Sequence, residues 1–121
     1  MNSFVLAILS IVVAVVAQFS LKAGMSSEAV KLLLAQPRSI RSLLLMLIHP
    51  SIAGGLALYC IGAVLWLGVL AKWDVSKAYP MVGLGFALSV AIGFLTGEQI
   101  TFARTVGVFL ICAGVILVGR N

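Results

Sequence analysis

Gln18 and Lys22 lie four residues apart at the end of a long stretch that otherwise carries no charge. On a helix they share one face, about 6 Å apart along the axis, and Ala14 continues the stripe. An amide and an ammonium on one face can hold an anionic group such as a phosphate. Polar side chains inside an apolar helix are costly and usually face protein or a water-filled cavity. Two readings of Lys22 stand side by side. Its ammonium reaches up to lipid headgroups, or it binds an anionic substrate group. Gln18, deeper in, either bonds a neighbouring helix or contacts substrate. Tyr79-Pro80 is the next candidate pair, because Pro80 loosens the preceding turn and can free a carbonyl. Tyr79 then lines a cavity, or sits in an ordinary interfacial belt. Tyr59 and Trp66, in a later apolar run, complete the candidate substrate contacts. Asp74 and Glu98 are loop acids near opposite membrane faces, read as possible rim charges or as solvated loop charges.

What is missing limits the chemistry. No acid falls within any apolar run, so there is no buried carboxylate whose proton a membrane could control. There is no nucleophile beside a base and no phosphate-binding loop, and an enzyme is not expected. Cys60 and Cys112 both fall in apolar runs, and no Cys/His spacing suits a metal. His49 stands alone beside Pro50. Neither a cofactor nor a metal is called for.

The elements that must position these residues follow from composition. In 121 residues, 63% are hydrophobic and 9% are charged, and the mean hydropathy is +1.25. A soluble domain this small exposes much of its surface and could not hide so much apolar area. Lipid is therefore the solvent. The net charge of +5 lies almost wholly between the apolar runs, where it can meet phospholipid headgroups or an anionic lipid. No basic helix with interleaved aromatics is present, so nucleic acid is not an expected partner.

A single all-α membrane domain follows, with four transmembrane helices at about 3–23, 51–71, 78–97 and 104–119. About 20 apolar residues suffice to cross the hydrocarbon core. A signal peptide at the N-terminus would need a basic leading region and a shorter core. Segment 26–49 differs. Ser26 or Ser27 can cap a short helix with Glu28 in its first turn, and Pro37 should break it. The run Leu43–Ile48 is too short to span and has Arg38 and Arg41 at one end. It reads as an interfacial helix or an extension of the second span. Pro50 suits the start of that span. The short loop Lys72–Lys77 makes the second and third spans antiparallel neighbours. In the third, Gly83 and Gly85 give flexibility. In the fourth, Gly107 and Gly114 share one face, which opens it for close helix packing or only reflects how common glycine is in membrane helices. Loop charges are nearly balanced between the two sides. That balance suits two-way insertion, and hence an antiparallel homodimer, as well as it suits one orientation left undetermined.

The run Leu110–Val115 within the Gly107–Val115 stripe, together with Tyr59-Cys60 and Ala78-Tyr79, resembles the small multidrug resistance family of the drug/metabolite transporter superfamily. That family carries a membrane glutamate eight residues before a lysine. Counting back from Lys22 gives Ala14, so the proton and drug site is missing. The lipid branch, the two small subunits of the aminoarabinose-phosphoundecaprenol flippase, is more similar. Ala17–Lys22 resembles their first helix, and Val75–Met81 with Leu84 and Phe86 resembles their third. Gly97-Glu98 resembles the turn before the last helix across the superfamily. The resemblance implies an inner-membrane flippase for a polyprenyl-phosphate-linked sugar, or a related anionic lipid. It would work as a homodimer, or as a heterodimer with a similar small subunit. Lys22 would attract the phosphate, and Gln18 and Tyr79 would contact the headgroup. Two rivals are a small multidrug resistance-type cation exporter, for which Asp74 and Glu98 are the only acid candidates, and a non-transporting subunit of a membrane complex.

Overall fold

The computed structural model of the chain describes residues 2–120. The terminal amine of Met1, which adds to the loop charges on the side of the chain ends, lies outside them. The described residues form seven helices and four membrane-length spans. The first span is α1 (Ser3–Met25), which the Asn2 side chain caps by accepting from the Phe4 N–H at 2.8 Å. The second is α4 (Pro50–Leu70). The third consists of α5 (Val75–Met81) and α6 (Gly83–Leu95), and the fourth is α7 (Phe102–Gly119). All four are long and apolar enough to cross a membrane.

Between the first two spans the chain folds as two short helices, α2 (Glu28–Ala35) and α3 (Ile40–Leu47), rather than one. Pro37 is the reason, since it removes a backbone donor and disfavours helix in the residue before it. Ser27 is the cap of α2, with Glu28 in its first turn. Ser39 caps α3 by accepting from the Ser42 N–H at 3.2 Å. Val30 of α2 is fully buried, whereas α3 buries nothing and leaves Ile40 and Ile48 exposed. His49 caps α4, its Nδ1 accepting from the Ser51 N–H at 3.3 Å.

The third span breaks at Val82, two residues after Pro80. The Val82 N–H bonds the Tyr79 carbonyl at 3.0 Å and the Gly85 N–H bonds the Val82 carbonyl at 2.8 Å. These tight i→i−3 bonds carry the chain across the turn that proline disrupts. The span starts at Val75 rather than near 78, because Asp74 stands at the N-cap and the Ala78 N–H already bonds its carbonyl at 2.8 Å. It ends at Leu95, short of 97.

α1 and α4 form the best-packed pair and run antiparallel. Their register is read from close contacts: Gly24 meets Ile52, Gly55 meets Leu21 and Ala17, and Gly62 meets Ser10 and Val13. α6 packs on α1, and α7 packs outside on α5 and α6. A core of Ile11, Val15, Met81 and Val115 joins these elements, and Trp66 and Trp73 pack against it. Most large apolar side chains face outward, including Phe102, Phe109 and Leu110. In lipid that exposure carries no penalty, and helices associate instead through close packing and interhelical hydrogen bonds.

Candidate functional site

A groove of about 760 Å³ runs along the bundle between α1, α4 and α6. One helical stripe supplies each wall. Ser10, Ala14, Gln18 and Lys22 come from α1 at four-residue spacing; Tyr59, Ala63 and Trp66 come from α4; Gly85, Phe86 and Ser89 come from α6. Glu98, just beyond α6, lines it as well.

The antiparallel register fixes the depth of these residues. Lys22 lies in the last turn of α1 and Glu98 follows the C-terminus of α6, so both occupy one end of the groove. Ser10 and Trp66 lie toward the other end. Both serine hydroxyls of the lining are engaged, Ser10 across the α1–α4 seam and Ser89 within α6. Ser10 donates to the Gly62 carbonyl at 2.8 Å, and Ser89 donates to the Gly85 carbonyl at 2.7 Å. Outside the groove, Ser20 donates to the Ser51 carbonyl at 2.7 Å and holds the same end of α1 and α4 together. Gln18, Lys22, Tyr59, Phe86 and Glu98 are all exposed although they line the groove. It is therefore open along its length, with polar heads at one end and apolar walls elsewhere.

The residues singled out from sequence fall into three groups. Gln18, Lys22, Tyr59, Trp66, Gly85 and Glu98 come together in the groove. Tyr79 and Pro80 do not line it, and Tyr79 is 70% exposed on α5. Asp74 lies in the α4–α5 loop, at the end away from Lys22, where neighbouring Lys77 holds its ammonium 4.6 Å from the Trp73 ring centre. Gly83 and Gly85 are buried, Gly83 against Ile111 and Val115 of α7 and Gly85 against Ile11 and Val15 of α1. Gly107 and Gly114 face outward with nothing within 4 Å of an added Cβ. Both cysteines are free. Among the described residues no cluster of histidine, cysteine and carboxylate could hold a metal.

Sequence reasoning missed the α6 wall and the direction in which Glu98 turns. α6 is apolar all round, so periodicity could not mark its groove face. Glu98 is placed by the end of that helix. Gly97 has φ +93°; its N–H bonds the Phe94 carbonyl at 3.3 Å and the Glu98 N–H bonds the Gly93 carbonyl at 2.8 Å. This is a Schellman cap, which glycine allows because it alone adopts that backbone freely. The reversal returns the Glu98 side chain onto Gly93, where a Cβ would lie 3.1 Å from Glu98 Oε1. The glycine before the acid was a visible signal for a turn, though not for its direction. Ala14 lines the groove between Ser10 and Gln18.

Comparison with known proteins finds relatives over about half of the chain. Over 69 residues, 54% of this chain, it is 40% identical to the probable 4-amino-4-deoxy-L-arabinose-phosphoundecaprenol flippase subunit ArnE of Pseudomonas syringae pv. syringae, covering 64% of that protein. It is 44% identical over 68 residues to the ArnE subunit of Salmonella paratyphi B, covering 61% of it. The chain is thus similar to these subunits over about half of its length. The ArnF subunit of Sodalis glossinidius is 35% identical over 68 residues, 52% of its length. The aligned stretch thus spans roughly half to two thirds of these relatives. No family model matches the chain. No solved structure matches it. With four apolar spans and this likeness, the chain is a multi-pass inner-membrane protein.

Proposed function

We propose that the chain translocates a polyprenyl-phosphate-linked sugar, of the aminoarabinose type or a related anionic lipid, across the inner membrane. The observation that carries this reading is the open groove: polar heads line it at one end, while its sides face the surroundings. A headgroup can enter such a groove while its chain stays in lipid. A closed cavity would force the whole lipid to desolvate. The printed names of the relatives describe flippase subunits for a lipid of this chemistry.

In this reading Lys22 takes the phosphate through charge-assisted hydrogen bonds. Gln18 contacts the headgroup beside it, and Tyr59 and Trp66 supply amphipathic walls. Tyr79, exposed toward the other end of the third span, offers a second headgroup contact there. Pro80 and the break at Val82, with Gly83 and Gly85, let that span bend as the headgroup passes. The protein works as a dimer, with itself or with a similar small subunit, through the Gly107 and Gly114 face. The chain itself performs no covalent chemistry.

The test is flipping in proteoliposomes. A prenyl-phosphate-linked amino sugar is placed in the inner leaflet, and its appearance outside is followed with an impermeant amine reagent. The protein, alone or with the second subunit that co-purifies with it, should speed that appearance, and Lys22→Ala should abolish the acceleration. Absence of flipping in both preparations would sink the reading.

A further inference from the structure

Glu98 is unexplained by anion binding alone. A groove built only for a phosphate would not carry a carboxylate at the same end as its lysine, because the acid repels the ligand. Nor does the fold gain from this charge. Glu98 follows the C-terminus of α6, where the helix dipole disfavours an anion, whereas Lys22 in the last turn of α1 suits its own dipole. The Schellman cap at Gly97 nonetheless returns the acid onto buried Gly93 and into the groove lining, instead of leaving it in the loop. Lys22 and Glu98 thus place one positive and one negative group at one end of one cavity.

We propose that Glu98 is the residue that selects a cationic amino group on the headgroup, so that the site is built for a zwitterion: phosphate on Lys22 and ammonium on Glu98. This rests on the lipid-linked sugar reading above. A headgroup carrying both charges satisfies both walls at once. One carrying only the phosphate leaves Glu98 facing an anion.

Binding to the full chain in lipid nanodiscs tests the proposal, read by tryptophan fluorescence because Trp66 lines the groove. The probes are a prenyl-phosphate-linked 4-amino sugar and its 4-hydroxy counterpart, equal in size and differing in one charge. The wild-type chain should bind the amine roughly tenfold or more tightly, the scale of one charge-assisted hydrogen bond. Glu98→Gln should weaken binding of the amine and leave the hydroxy probe bound no less tightly, so that the two probes bind equally, and Glu98→Asp should keep part of the preference. Equal binding of the two by the wild-type chain, which requires no variant to fold, would overturn the proposal. So would a preference that survives Glu98→Gln. Binding of neither probe would overturn the lipid reading itself, and this assignment with it.

Discussion

Ser10 joins α1 to α4 through Gly62: its hydroxyl donates to the Gly62 carbonyl at 2.8 Å, within the groove wall. The same carbonyl belongs to the α4 ladder, so losing Ser10 does not orphan it. Interhelical hydrogen bonds in bilayers average about 0.6 kcal/mol and reach about 1.7 kcal/mol. Ser10→Ala should therefore cost about that much in a bicelle unfolding titration and leave binding unchanged. A loss of about 3 kcal/mol or more, beyond the range for such a bond, would show that Ser10 does more than tie two helices.

The α1–α4 seam should discriminate among its glycines. A Cβ at Gly24 would lie 2.5 Å from Ile52 Cγ1 and 3.1 Å from the Ile52 N. At Gly55 it would lie 2.9 Å from the Leu21 side chain and 3.1 Å from the Ala17 carbonyl oxygen. Alanine at either position forces backbones apart, and overpacking of this kind costs about 1–3 kcal/mol. Gly54, one residue away on the open side, has nothing within 4 Å. Gly54→Ala should be neutral or slightly stabilising in the same titration. Equal losses at Gly54 and Gly55 would refute this seam.

How much of this was legible in the sequence depends on which residues carried contrast. The four spans stood out because uncharged runs of about 20 residues have few alternatives. Gln18 and Lys22 stood out because a polar pair at helical spacing in an apolar run marks a face. Ala63 and Ser89, which also line the groove, carried no such contrast. Their helices are apolar on every side, so only packing reveals which face turns inward. Pro80 announced the disturbance that appears as the break at Val82, but the start at Val75 follows from Asp74 standing at the N-cap. Glu98 looked like a loop charge because its direction depends on the positive φ of Gly97, which no spacing rule conveys.

Lys22 should separate function from folding. It is exposed at the groove end, and exposed substitutions of this kind usually shift stability by less than about 0.5 kcal/mol. Lys22→Ala should keep the wild-type unfolding midpoint and lose about tenfold to a hundredfold in affinity for a prenyl phosphate, the range for a charged hydrogen bond. Lys22→Arg should retain much of the binding, because it keeps the charge. Unchanged affinity in the alanine variant would assign Lys22 to the headgroup layer instead.

The outward face of α7 should govern association and nothing else. Gly107 and Gly114 are seven apart, nearly two turns, and share that face with Leu110, which is 68% exposed. An added Cβ at either glycine meets no atom within 4 Å of its own chain. Gly107→Leu and Gly114→Leu should therefore leave each subunit folded and prevent the close approach of a second helix. Single-molecule photobleaching in nanodiscs would read this as a shift from two steps to one. Gly83 supplies the contrast, since a Cβ there would lie 2.8 Å from Ile111 and 3.1 Å from Val115. Gly83→Leu should push α7 off α6 and lower stability before it affects pairing. A two-step signal that persists in both α7 variants would move the dimer contact to another face.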